Sequence, residues 1–124
     1  MIESWVFKDG SAPTSSEALL DELRGRINGG QLETWLTTAS GRALALITNT
    51  ERAMVMLLDD EDDPGEHAVD LGAEGWSEGF LLANGQHDQY SNEDTVPLEE
   101  AFRIVGCILT TGSPPSDAGW AVDR

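Results

Sequence analysis

The chain of 124 residues carries 23 acidic side chains against seven lysines and arginines, which gives a formal net charge of -16. A protein that binds nucleic acid needs a basic surface to neutralise the phosphates, and seven cations scattered along the sequence cannot easily form one. The same deficit excludes electrostatic attraction to anionic lipid. The length and the 40% hydrophobic content are typical of one globular unit, so we predict a single domain over residues 1–124.

The sequence also indicates the compartment. No segment approaches the roughly 18 to 20 consecutive apolar residues of a membrane span, and Met1–Ser4 has neither a basic nor an apolar export region. The one cysteine, Cys107, cannot form an internal disulfide, which is usual in a reducing compartment. We therefore expect a cytoplasmic protein.

The chain begins with an expected edge strand and a helix. Trp5–Phe7 is short, apolar and β-prone, which predicts the edge strand. Thr14 and Glu17 have the spacing of a capping box. Apolar residues then recur at the helical period until Gly29, where the helix is predicted to end.

Three segments rich in threonine and aliphatic residues follow, namely Leu32–Thr38, Arg42–Thr48 and Arg52–Leu58. Their short connections join antiparallel neighbours, because parallel pairing needs a crossover of about a dozen residues or more. The three segments are therefore predicted to form a meander. The middle strand is apolar on both alternating faces, which places it at the centre of a sheet that the helices cover.

The next part of the chain reads as loops and short strands. Asp59–Gly65 is a loop of self-repelling charges, His67–Leu71 is a predicted strand, and Gly72–Gly79 is a predicted loop. Phe80–Ser91 is a predicted hairpin, in which Asn84-Gly85 favours a type I′ turn.

The second helix has the clearest signals. Pro97 is suited to the first helical position, an apolar stripe follows at helical spacing, and Gly112 ends the helix. A last short strand is expected around Trp120 and Val122. The predicted fold class is α+β, with a single antiparallel β-sheet of about five to seven strands and two principal α-helices packed on it.

No constellation of residues predicts catalysis, a cofactor or a metal site. Cys107 lies among apolar residues of the predicted helix without a basic neighbour, which favours a packed thiol over a nucleophile. Glu66 and His67 are adjacent in a strand, so their side chains point to opposite faces. The acidic run has proline where a calcium-binding hand needs glycine. We expect a protein that is not an enzyme.

The acidic surface is the most distinctive feature of the sequence. The run that starts at Asp59, continued by Glu66 and Asp70, is either a solvated loop or a surface for a basic partner. Trp76 is either an interface anchor or a side chain folded back on the core. The candidate partner-binding residues are Asp59, Asp60, Glu61, Asp62, Asp63, Glu74, Trp76 and Glu78.

The last third of the chain carries a further pattern, made of Phe80–Gly85, Tyr90, Val96-Pro97, Ala101-Phe102, Gly112, Pro115 and Trp120. With these residues it resembles immunity protein family 1 of bacterial polymorphic toxin systems. The resemblance implies a small cytosolic antidote that binds the toxic domain of a secreted toxin and blocks its active site. Many such toxins look like nucleic-acid deaminases. The family offers no catalytic residues, and its toxin-contacting residues vary with the toxin.

The acidity and the resemblance indicate the same kind of partner. A toxin domain that grips nucleic acid presents a cationic cleft, which an acidic protein can fill in place of the substrate. We therefore expect an immunity protein that is a monomer when free and contacts neither nucleic acid nor membrane. The alternative is an acidic adaptor or nucleic-acid mimic with several basic partners. A small enzyme is a third hypothesis, for which the sequence nominates no residue.

Overall fold

The computed structural model describes residues 4–13, 15–60 and 62–123. Within these ranges, an antiparallel sheet of seven strands packs against two helices, and a hairpin forms a separate two-stranded sheet that contacts β3 of the large sheet. The helices are α1 (Ser16–Asn28) and α2 (Leu98–Thr111). The strands are β1 (Val6–Phe7), β2 (Glu33–Thr37), β3 (Ala43–Thr48), β4 (Arg52–Leu58), β5 (Glu66–Ala68), β6 (Trp76–Leu81), β7 (His87–Ser91), β8 (Val96–Pro97) and β9 (Trp120–Val122).

The predicted α+β class, with an antiparallel sheet and two helices, is confirmed. The large sheet has the order β1-β2-β3-β4-β5-β9, and β8 pairs with the first residues of β4. The predicted meander forms β2, β3 and β4, and every residue of β3 is buried. In the described part of the chain, no helix has the length and apolar character needed to cross a membrane.

The main core lies between one face of the sheet and the two helices. Leu44, Leu46 and Val55 project from this face and are fully or almost fully buried. Side chains of both helices pack onto them, including Leu19, Leu23, Ile27, Phe102, Ile104 and Ile108. Fully burying one such side chain contributes about 1.5–3 kcal/mol relative to leaving it exposed. Burial on this helix-covered face therefore stabilises the fold.

The ends of the helices differ in detail from the prediction. Ser15 caps α1, since its hydroxyl accepts from the Ala18 amide at 3.1 Å, and Thr14 of the predicted capping box lies outside the described residues. Pro97 is the residue before α2 rather than its first residue. Its backbone is extended with ψ 146° because it pairs with Arg52 in the sheet. Gly112 ends α2 at a left-handed φ of 84°, as predicted.

The β6–β7 hairpin corrects three expectations. It forms its own two-stranded sheet, and β6 begins at Trp76, inside the predicted loop Gly72–Gly79. The turn is not type I′, because Gly85 has a positive φ of 89° and Asn84 does not. Leu82 and Gln86 instead close a three-residue loop, in which the Gly85 amide bonds to the Leu82 carbonyl at 2.9 Å.

Strand β5 is shorter than the predicted His67–Leu71 and begins one residue earlier. It pairs with the last part of β4 on one side and with β9 on the other. After Ala68 the chain leaves the ladder, because the Ala73 amide bonds back to the Asp70 carbonyl and closes a turn. The expected terminal strand around Trp120 is confirmed as β9.

Candidate functional site

Charge is distributed unevenly between the two sides of the molecule. No lysine or arginine occurs between Arg52 and Arg103, yet this stretch holds more than half of the 23 acidic residues. It includes the acidic turn after β4, the hairpin and the 3₁₀ helix Asn92–Asp94. The acidic residues of the chain are therefore concentrated on the elements between β4 and α2.

The arginines of the described chain have intramolecular partners. Their carboxylate or carbonyl partners are Glu99 for Arg24, Asp9 and Glu22 for Arg26, the Gly112 carbonyl for Arg42, Asp70 for Arg52, and Glu100 and Asp117 for Arg103. Hydrogen bonds from Arg103 lower the pKa of Glu100. Three of these carboxylates, Glu22, Glu99 and Glu100, lie on the helices, and the other three lie in loops, so none of them belongs to the strands of the hairpin.

The acidic turn that follows β4 is organised by its own carboxylates. The Asp59 amide donates to Asp63 Oδ2 at 2.9 Å, and the Asp62 amide donates to Asp60 Oδ1 at 2.9 Å. Asp59, Asp60 and Asp62 are exposed, and Glu61 lies outside the described residues. The turn thus fixes its backbone while presenting negative charge to solvent.

Trp76 is exposed at the start of β6, with 67% of its surface accessible. Exposed Glu74 and Glu78 lie on either side of it in the sequence. Their backbone is anchored, because the Asn92 side chain donates to the Glu74 carbonyl at 2.9 Å and Asn49 donates to the Glu78 carbonyl at 2.8 Å. The indole is therefore an exposed side chain on a fixed backbone and is not folded back on the core, while its role as an interface anchor stays a prediction.

A β-bulge separates the inward and outward side chains of the hairpin. Ser77 pairs with Tyr90 and Phe80 pairs with Asp88, so two residues of β6 lie opposite one residue of β7. Phe80 is fully buried and meets the Tyr90 ring edge-on at 4.8 Å. Burial, together with the neighbouring carboxylates Asp88 and Glu33, raises the pKa of Tyr90 to about 12. The bulge thus lets Phe80 anchor the hairpin without turning Trp76 inward.

The predicted site residues do not form one compact patch. Asp59 follows the last residue of β4, whereas Glu78 is held by Asn49, next to the first residue of that strand. Seven residues of strand span about 20 Å, which separates the two groups. Glu66 and Asp70 do not extend the exposed run as expected, because they bond to Trp120 Nε1 and Arg52 at 2.6 Å each.

His67 lies between these two groups with two aspartates that the sequence analysis did not nominate. His67 Nδ1 is 2.7 Å from Asp123 Oδ2, and its Nε2 is 3.0 Å from Asp94 Oδ1. Burial of the ring lowers the pKa of His67, but the hydrogen bonds and charges of Asp123 and Asp94 outweigh this and raise it above its usual value. Three segments distant in sequence therefore meet at one titratable side chain.

Backbone hydrogen bonds complete the connection between the two acidic groups. The Asp123 amide donates to the Gly65 carbonyl, just after the acidic turn, and the Asn92 amide donates to the Gly75 carbonyl, just before Trp76. We call the resulting surface the acidic band. It comprises Asp59, Asp60, Asp62, Asp63, Asp123, Asp94, Glu93, Glu74 and Glu78, with Trp76 at one end.

The remaining surface offers less for chemistry. A groove of 630 Å³ beside β2 contains Glu33 and Arg26. The Glu33 carboxylate already accepts from Trp35 Nε1 and the Ala83 amide, and Arg26 is ion-paired. Cys107 is half-buried, with its sulfur 3.7 Å from Thr111 Oγ1. Across the described ranges, no group of three or more His, Cys, Asp or Glu side chains is arranged to hold a metal ion.

Comparison with known proteins adds no relative. The chain matches no protein-family model, and a search of curated proteins finds no match. The physical properties of the acidic band are therefore what bears on function. An anchored, acidic surface with an exposed indole at its end is suited to binding a basic protein.

Proposed function

We propose that this protein is an immunity protein that binds the toxic domain of a cognate secreted toxin and blocks its active site. In this proposal the toxin acts on nucleic acid, as a deaminase does, and the complex forms in the cytoplasm. The acidic band contacts the basic cleft in which the toxin holds its substrate. The protein inhibits by occupying that cleft and performs no chemistry of its own.

The observation that carries the proposal is the one-sided charge. A stretch with no lysine or arginine forms the hairpin side, whereas the described arginines are engaged in internal contacts. The net charge of -16 destabilises the compact protein through self-repulsion. A cationic partner would relieve this repulsion and would be steered toward the band during association.

Trp76 supports a protein partner over a general electrostatic role. Solubility needs charge but no exposed indole, and Trp76 lies between Glu74 and Glu78 on an anchored backbone. Tryptophan is among the residues enriched at the energetic centres of protein interfaces. A specific interface explains the indole and the charges together.

Partner capture from the cells that make the protein tests the proposal. The purified protein is immobilised, incubated with lysate at low salt and washed at high salt, and retained proteins are identified by mass spectrometry. We expect one basic domain in near-equal amount that survives the high-salt wash. When that domain is expressed in a bacterial host, it should be toxic, and co-expression of this protein should restore growth.

The adaptor alternative gives a different result in the same experiment. An acidic adaptor or nucleic-acid mimic would retain several basic proteins at low salt and release all of them at high salt, because screening removes a purely electrostatic attraction. A retained domain that harms no host, or whose toxicity persists on co-expression, would also contradict the immunity function.

A further inference from the structure

We propose that Trp76, Glu74 and Glu78 form a docking site for an arginine side chain of the basic partner. This inference rests on the proposed function and names the chemistry recognised at one end of the acidic band. The arginine guanidinium would lie flat on the indole, and the neighbouring carboxylates would accept its hydrogen bonds. The site would thus add specificity to the steering that the band provides.

The exposure of Trp76 is unusual within this molecule. Among the phenylalanines, tyrosine and tryptophans that the structure describes, it is the one exposed ring. Tyr90 and Phe80 of the same hairpin face inward, and Asn92 and Asn49 hold the backbone around Trp76. The sheet under the hairpin is already packed by Phe80, so folding does not explain why an indole stands in solvent.

The hairpin geometry places one carboxylate, that of Glu78, on the same face as this indole. Trp76 and Glu78 are two residues apart in β6, which puts both side chains on the outward face. The bulge after Ser77 keeps Glu78 outward while Phe80 turns in. Beside Glu78 lies an open depression of 570 Å³ lined also by Gly79, His87, Asp88 and Gln89. A planar cation on the indole would have the Glu78 carboxylate on the same face of the hairpin as an acceptor.

The molecule uses the same combination internally. The Arg24 guanidinium lies 4.0 Å from the centre of the Phe102 ring and bonds to both oxygens of Glu99 at 3.2 Å. Arg26 lies 3.9 Å from the Phe7 ring and pairs with Asp9 and Glu22. Trp76 has no contact with an arginine among the residues that the structure describes, so its ring face and the carboxylates of the same segment are the complement that an incoming arginine requires.

Arginine fits this site better than lysine. Its planar guanidinium stacks on an aromatic face while its edge donates hydrogen bonds to carboxylates. The lysine ammonium is compact and strongly hydrated, so it would be attracted by Glu74 and Glu78 without gaining the same stacking. Arginine and lysine carry the same charge, so the electrostatic field of the band attracts them equally. Tighter binding of arginine than of lysine would therefore indicate docking on Trp76.

Two short amidated peptides of equal charge, tetra-arginine and tetra-lysine, provide the test. We would follow the indole N–H signal of Trp76 by NMR during titration at low salt, assigned through the Trp76→Leu variant. We expect the arginine peptide to shift this signal and to bind about threefold more tightly than the lysine peptide. Trp76→Leu should remove the preference, whereas Leu71→Ala, which alters another exposed apolar side chain, should retain it.

Equal affinity for the two peptides, or a preference that survives Trp76→Leu, would overturn the inference. The peptide titration tests the arginine site independently of the proposed function, because it uses no toxin. With a captured toxin domain, Trp76→Leu should weaken the complex about thirtyfold, as expected for an interface centre. A toxin complex unaffected by Trp76→Leu would overturn the arginine site while leaving the immunity function standing.

Discussion

The helix-covered side and the hairpin side of this protein use charge in opposite ways. On the helices, Arg24, Arg26 and Arg103 each pair with carboxylates, and two of them also lie on buried aromatic rings. On the hairpin side, Glu74 and Glu78 are exposed around an indole, in a stretch that lacks lysine and arginine. Among the described residues, the carboxylates of Glu22, Glu99 and Glu100 on the helices are held by ion pairs, whereas no ion pair holds those of Glu74 and Glu78.

The largest expected difference in the free energy of unfolding is between a substitution beneath the helices and one on the hairpin. Leu44→Ala removes a fully buried side chain beneath the helices, and we expect it to lower the free energy of unfolding by about 2–5 kcal/mol. Trp76→Ala should change it by less than about 0.5 kcal/mol, because the indole is exposed. Urea unfolding measures both. A large loss of stability in Trp76→Ala would show that the indole serves the fold.

Arg52 joins the two regions and should give the next largest effect. Its guanidinium bonds to Asp70 Oδ2 at 2.6 Å, Thr95 Oγ1 at 2.7 Å and the Asn92 carbonyl at 3.2 Å. Arg52→Met leaves these half-buried acceptors without their donor, so we expect the free energy of unfolding to fall by about 1–3 kcal/mol.

Arg52→Lys is the matched control, since it keeps the charge but not the forked donor geometry. We expect it to recover part of the stability that Arg52→Met loses in urea unfolding. Full stability in Arg52→Met would mean that the hairpin side does not depend on this contact.

His67 should give a smaller, pH-dependent effect. Its pKa is raised in the folded protein by Asp94 and Asp123, and the residue opposite it on β4 is the uncharged Met56. The charged ring therefore stabilises the fold fully below the usual histidine pKa of about 6.5, and this contribution is lost as the pH rises through the raised folded value.

The free energy of unfolding of the natural protein, minus that of His67→Gln, should thus decrease between about pH 6 and pH 8. Taking the difference between the two proteins cancels most of the titration of other carboxylates. An NMR titration of His67 should show the pKa falling in Asp94→Asn. A pKa that is unchanged in this variant would contradict the contact.

Sequence reasoning predicted the elements whose signals are local. Hydrophobic period and turn residues located α1, the meander and α2, and Gly112 was correctly placed at the end of α2. The predicted ends of helices and strands were wrong where contacts between distant residues determine the backbone conformation. The Pro97 backbone is extended because it pairs with Arg52, and β6 starts early because Trp76 pairs with Ser91. Such pairings join residues remote in sequence.

The candidate site was only partly visible for the same reason. The run beginning at Asp59 and the residues around Trp76 are apparent as composition, and both are exposed. The contribution of Asp123 and Asp94 depends on β9 lying beside β5 and on the 3₁₀ helix meeting His67. The absence of lysine and arginine between Arg52 and Arg103 is the sequence signal that could have marked every residue of this surface except Asp123.

Neutral variants at the two ends of the acidic band test whether its charge attracts the partner. One variant combines Asp60→Asn with Asp62→Asn, and a second combines Glu74→Gln with Glu78→Gln. The amides retain oxygen acceptors, including the Asp60 oxygen that holds the Asp62 amide, so the fold should persist. The control combines Glu17→Gln with Asp21→Asn, which removes two exposed charges from α1.

The association rate of the captured partner with these three variants, measured across ionic strength, tests the central claim most directly. Each band variant should associate several-fold more slowly at low salt and show a flatter salt dependence, while the α1 control should resemble the natural protein. If the α1 control slows association as much as the band variants do, net charge rather than the acidic band attracts the partner, and the account is wrong.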